Sequence, residues 1–204
     1  MFVMPGDTVP RGKTTDMFGA VNAEGEENVV FSWINWDSRE ACQAAHDAMM
    51  GDERMQMPPE MPFDGKRMIF AGFEILGEKG GGGDAGYVQG YVAPVPKDNR
   101  TAYSDLCAIM RDVAIECGAL RAVDGWAESI PSGEVTDFNR AVKATDDEAV
   151  AFGFVEWSSK EAFEAGSASM RDHDRMPPPG SDMPFDGQRL IYGGFAVLLS
   201  SDQR

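Results

Sequence analysis

MPFDGKRMIFAGFEIL, Met61 to Leu76, is written a second time as MPFDGQRLIYGGFAVL, Met183 to Leu198. Working outward, VPRGKTTD (Val9–Asp16) answers IPSGEVTD (Ile130–Asp137). Residues 9–55 match 130–176 at a shift of 121, and 61–76 match 183–198 at a shift of 122, with 28 of the 63 paired positions identical. Self-similarity at one long period marks a duplicated structural unit. Between the copies stands EKGGGGD, Glu78–Asp84, a composition that behaves as flexible coil. The pattern predicts a first copy over residues 1–78, a Gly-rich linker over 79–85 and a second copy over 86–204.

The copies are unequal, because the 45 residues from Gly86 to Ile130 have no counterpart before Val9. Tyr87–Val95 (YVQGYVAPV) alternates and is rich in β-formers, so it reads as a strand closed by Pro94 and Pro96. Asp98 or Asn99 supplies a helix N-cap. An inward stripe of Tyr103, Leu106, Cys107, Met110, Val113, Ala114 and Cys117 follows, and Gly118 stands where a helix end favours a left-handed residue. Ala119–Ala127 reads as the next strand. Each copy then adds a strand (Val29–Trp36 or Val150–Trp157), a helix opened by a capping box (Asp37 with Glu40, Ser158 with Glu161) and a last strand (Arg67–Leu76 or Arg189–Leu199). The second copy is therefore β-α-β-β-α-β, an α+β fold with a ferredoxin-like split βαβ, whereas the first has only β-β-α-β.

In that topology the opening strand lies between the third and fourth, so its loss leaves two strand edges unpaired and apolar surface bare. Three readings follow: truncation upstream of Met1, a strand donated by another chain, or a second copy packed over the gap. Truncation is preferred, since Met1–Gly6 reads as the tail of a second strand.

Of the 204 residues, 43% are hydrophobic, 25% charged and 10% aromatic, a composition of globular proteins that excludes collagenous, disordered and disulfide-scaffold classes. Eighteen Lys and Arg against 34 Asp and Glu give a net charge of -16, shared as -7 over residues 1–79 and -9 over 80–204. That field opposes binding to phosphate backbones and anionic lipid surfaces. No apolar run is long enough to span a bilayer and no signal pattern opens the chain, so a cytoplasmic address is expected. Cys42, Cys107 and Cys117 are odd in number and lack metal-ligand spacing, which predicts buried free thiols and no metal site. Phosphate loops and nucleophile motifs are absent, so no cofactor is expected and no catalytic residue is assigned.

The run YVQGYVAPVPKDNRTAY, the Gly118–Leu120 GAL, TDFNRAV at Thr136–Val142 and MPFDGQRLIYGGF resemble the YbaA-like proteins, the domain of unknown function 1428 family. The resemblance covers Tyr87–Leu199, and the first copy shares it from about Asp7 through FSWINW, DERM and MPFDGKRMIFAGF. It implies a bacterial protein with a dimeric α+β barrel, two ferredoxin-like units bringing their sheets face to face. Here the two repeats are expected to pack sheet to sheet within one chain, as an internal pseudo-dimer or in a homodimer. The resemblance transfers no catalytic residue.

Seven residues stand out as ligand-binding candidates. Trp36 and Trp157 end strands that are apolar on both faces and could line a cavity between sheets, though aromatic core packing is the plainer role. Arg67 and Arg189 open the last strand of each copy, where a guanidinium could pair with Asp64 or Asp186 or hold an anionic ligand. Asp64-Gly65 and Asp186-Gly187 read as turns whose glycine takes a positive φ. Tyr91 could aim its hydroxyl into an inter-sheet cavity. Arg54-Met55 and Arg175-Met176 are expected to end the second helix of each copy. His46 and His173 occupy non-equivalent positions, which excludes a duplicated histidine site. The leading expectation is a small-molecule-binding protein or cofactor-free enzyme with its pocket between the sheets; the alternative is a non-catalytic protein-interaction or regulatory module.

Overall fold

The computed structural model describes residues 2–53, 61–81 and 83–200. In chain order its regular elements are β1 (Phe2–Thr8), α1 (Met17–Ala20), β2 (Phe31–Ser32), α2 (Arg39–Met50), β3 (Glu74–Gly80), β4 (Tyr87–Pro96), α3 (Arg100–Glu116), β5 (Arg121–Ala127), α4 (Phe138–Ala141), β6 (Glu148–Trp157), α5 (Lys160–Arg171) and β7 (Ile191–Leu199). It is a mixed α+β fold built on an antiparallel sheet.

Period-2 alternation places β4 at the centre, because both of its faces carry apolar side chains that need cover. It pairs along its whole length with β6, from Tyr87↔Trp157 to Pro96↔Glu148, and with β7 from Tyr87↔Ala196 to Val92↔Ile191. β7 has left the ladder by Pro94, so neither proline is asked for a hydrogen bond on that side. The second copy thus has the order β7-β4-β6-β5, with its opening strand between the third and the fourth.

The first copy does not form a separate sheet facing this one. Its strands extend both edges, giving one seven-stranded antiparallel sheet ordered β2-β1-β7-β4-β6-β5-β3. Edges of β5 and β7 left unpaired would strand backbone donors and acceptors, and β3 and β1 satisfy them. By the repeat, β1 corresponds to β5 and β3 to β7, so the β1–β7 and β3–β5 seams are one pairing made twice. The turns before the shared strands repeat this reciprocity. Thr15 Oγ1 donates to the Ala141 carbonyl at 2.6 Å, and its counterpart Thr136 Oγ1 donates to the Ala20 carbonyl at 2.9 Å.

Several sequence boundaries move for physical reasons. Lys79 and Gly80, expected in the linker, belong to β3, where with Glu78 they pair with Ala122, Arg121 and Val123. Val29–Trp36 keeps only Phe31–Ser32 as strand, and the strand expected from Arg67 begins at Glu74. In the second copy the equivalent residues of β7 pair with β4, and the first copy has no β4. The N-caps are Ser38 and Ser159, one residue later than the capping boxes placed them, each accepting from the amide three residues on. The helices end at Met50 and Arg171, so Arg175 lies beyond the second; Arg54 and Met55 lie outside the described residues.

The sheet's two faces carry different cores. On one, Val88, Val92, Val150, Phe152, Phe154, Ile191 and Phe195 meet Phe31, Trp33, Phe73 and Phe138. Phe31 stacks on Phe152 and Phe195 at 4.9 and 5.3 Å, and Gly90 leaves room for its ring, which a Cβ there would meet at 2.6 Å. The space shared by the two copies is thus filled with aromatic rings. On the other face α3 and α5 cover β4, β5 and β6.

Candidate functional site

On the helix-covered face, alternation aligns Tyr91 of β4, Asp124 of β5 and Gly153 of β6 in register. Gly153 lacks the Cβ that would collide with the Tyr91 ring and hydroxyl. The Tyr91 hydroxyl, lying across it, donates to Asp124 Oδ1. Tyr91 therefore faces the helices and not the space shared with the first copy, where the sequence reading aimed it. Above this row α3 presents Tyr103, Cys107 and Arg111 at i, i+4 and i+8, one helix face. Arg111 Nη1 donates to Asp124 Oδ2, the two side chains being 11% and 5% exposed. Gly77 of β3 makes room for that guanidinium, since a Cβ there would run into it. One element of the first copy thus completes the second copy's polar cluster.

Burial sets the protonation of this cluster. The Tyr91 and Tyr103 hydroxyls are held well above the ordinary phenol range, first by desolvation and then by neighbouring acidic groups that include Asp124. Burial also raises the Cys107 thiol, with the Asp124 charge adding to it. All three remain protonated at neutral pH, which makes them hydrogen-bond donors and not nucleophiles.

Beside the cluster lies a cavity of about 250 Å³. Its walls are largely apolar, including Ala93, Leu106, Met110 and Met170, and its polar edge is Tyr91, Tyr103, Cys107, Arg111 and Asp124. Tyr192, 46% exposed, brings it to the surface. Tyr91 is the one sequence candidate in its wall. Asp124, Arg111, Tyr103 and Cys107 were missed as a site; the available signal was an acidic residue inside the apolar strand Ala122–Trp126 and a polar spacing of four on the helix above.

The other candidates sit elsewhere. Trp157 is fully buried on the helix side against Tyr87, Phe163 and Gly166 of α5, its Nε1 without a partner. Trp36, half-buried, lies 6.3 Å from the His46 ring of α2. Neither tryptophan faces the shared aromatic core. Arg67 and Arg189 are clamped in matching networks. Arg67 donates from Nε to Asp64, from Nη1 to the Asn22 carbonyl and from both Nη atoms to Glu27 at 2.6 Å. Arg189 does the same with Asp186, the Lys143 carbonyl and Glu148. Asn22 and Lys143, whose carbonyls are used, share a left-handed backbone, φ 50° and 52°. The hydrogen bonds from Arg67 draw the Glu27 carboxyl down to about 2, and Arg189 lowers Glu148 and Asp186 likewise. Gly65 and Gly187 are not among the positive-φ glycines: Asp64 and Asp186 make their turns by accepting from the amides of Lys66 and Gln188.

A second hollow, about 350 Å³, lies between the two copies where Arg11–Ala23 faces Arg140 and Lys143. Among the described residues no three His, Cys, Asp or Glu side chains gather as a metal site, and no helix is long and apolar enough to cross a membrane.

Fold and site together define an α+β protein with a small, polar-edged cavity under one helix. The chain belongs to the family described as protein of unknown function (DUF1428), matched over residues 1–65 and 86–187. It is 45% identical over 113 residues to the uncharacterised protein YbaA of Escherichia coli K12, and equally to that of E. coli O157:H7 and of Shigella flexneri. The aligned stretch is 97% of the relative and 55% of this chain, so YbaA matches about half of it.

Proposed function

We propose that the chain binds a small, largely apolar neutral molecule with one hydrogen-bonding group in the cavity under α3. The observation that carries this reading is the buried Tyr91–Asp124–Arg111 cluster bordering an otherwise apolar cavity of about 250 Å³. Such cavities with a few convergent polar groups are the usual form of ligand sites, and this volume lies just below the roughly 300–1,000 Å³ of drug-sized pockets. Arg111 compensates the Asp124 charge, so the site favours neither a cation nor an anion; the protonated Tyr103 and Cys107 are suited to a carbonyl or hydroxyl. The earlier expectation placed the pocket between sheets, where aromatic rings now stand. Trp36, Trp157, Arg67, Arg189, Asp64 and Asp186 act in this reading as supports of the scaffold.

We also infer that the second copy is a complete ferredoxin-like unit, the first an incomplete one, and the whole an internal pseudo-dimer of the α+β barrel type. The doubled seams and the reciprocal Thr15 and Thr136 bonds support it. A second reading, a module that binds another polypeptide, is supported by the exposed Val30, Ile34 and Phe70 of the first copy.

Met110 and Met170 in the cavity wall serve as reporters. With 13C-labelled methionine methyls, a screen of small ketones and phenols is expected to shift these two signals, and Tyr103→Phe to weaken the response by about tenfold, one hydrogen bond's worth. A library that leaves both methyls unmoved overturns the reading.

A further inference from the structure

We propose that the outer edges of β2 and β3 form an acceptor for one more strand, and that its occupant is a strand–helix segment with the chemistry of Gly86–Arg121. The inference is independent of the cavity and rests on comparing the copies.

In the sheet order β2 and β3 stand at opposite ends, and among the described residues neither outer edge is paired. By the repeat they correspond to β6 and β7, which in the second copy flank β4 on its two sides. The ends of the sheet are therefore the counterparts of the two strands that hold β4 between them. Side chains from the two ends converge on one ring. Phe31 of β2 and Phe73, just before β3, stack on the same ring, Phe152, at 4.9 and 5.0 Å, so their centroids lie within about 10 Å.

Side chains around the gap record what is missing. Val30 is 57% exposed where its counterpart Ala151 is fully buried, and Ile34 and Phe70 are 64% and 67% exposed. α2 has no buried residue, while its counterpart α5 packs on α3, for which the first copy has no equivalent. Unpaired edges beside exposed apolar side chains are the feature that strand addition satisfies. The second copy shows the kind of segment that covers such a face: an alternating strand with valines on one side and tyrosines on the other, followed by an amphipathic helix. A single added strand would pair with both edges and close the sheet into a ring, which removes edges altogether.

The test fuses a second copy of Gly86–Arg121 ahead of Met1, the position the shift of 121 assigns to it. Amides of residues 29–36 and 68–73 are expected to exchange at least tenfold more slowly than in the unfused chain, with a higher Tm. Prolines in the added copy at the positions of Val88 and Val92 should abolish both effects. If the fusion does not fold, the separate Gly86–Arg121 peptide added to the full chain should slow the same amides. Unchanged exchange in both formats overturns the proposal. So does a concentration-dependent dimer of the unfused chain in which these amides are already protected, since the occupant is then a second copy.

Discussion

Arg67 and Arg189 each bind a neighbouring aspartate, a distant glutamate and the carbonyl of a left-handed residue, and this sets the acid sensitivity of the molecule. Glu27 has a native value of about 2, below the roughly 4.3 of an unperturbed glutamate. The native state then binds fewer protons than the unfolded one. The contribution of Glu27 is present above about pH 4.3 and lost as the pH falls toward 2. Glu148, Asp64 and Asp186 are lowered in the same sense. Arg67→Gln is expected to flatten the dependence of Tm on pH between about 4.5 and 2, and Arg67→Gln with Arg189→Gln to flatten it further, as thermal melts across that range would show. The aspartate half of each clamp was legible because Asp64-Arg67 and Asp186-Arg189 are three residues apart. The glutamate half was not, since Glu27 and Glu148 lie 40 and 41 residues away and only the fold brings them in.

The short β2, the late β3 and the seating of Arg111 all follow from which strands have neighbours. Periodicity located the strands of the second copy to within a few residues, because there each pattern meets a partner. The same patterns over-predicted the first copy, where Val29–Trp36 and Arg67–Phe73 lack the strand against which they would be assigned. Asp124 stood out only as an acid inside an apolar strand, and its setting was illegible for a related reason: its partners come from β4 and α3, and the room for Arg111 comes from β3. That dependence can be measured. Gly77→Val should push the guanidinium off Asp124 and cost about 1–3 kcal/mol in urea denaturation, as overpacking does. In an Arg111→Met background most of that penalty should vanish, and a double-mutant cycle would report a coupling above about 0.5 kcal/mol. Additive effects would mean that β3 does not position the arginine.

Because Phe31 of the first copy packs on Phe152 and Phe195 of the second, the copies share a core as well as two seams. Unfolding is expected to be one calorimetric transition, and Phe31→Ala to lower stability by about 3–5 kcal/mol while keeping it single. Two transitions, only one of them moved by the substitution, would show independently stable halves. The duplication was plain in the letters; the joining of the copies edge to edge was not, since a repeat shows what is alike and nothing of where it meets itself.

Where identical subunits assemble about a dyad, every substitution is imposed on both sides together. Two unlike copies within one sequence are free of that rule. Both halves keep the arginine clamp, yet the first has a glycine under Arg111, Gly77, where the second has Leu199. Division of labour between unlike halves is thereby open to selection one residue at a time, the first half bracing, through Gly77, the arginine that borders the second half's cavity.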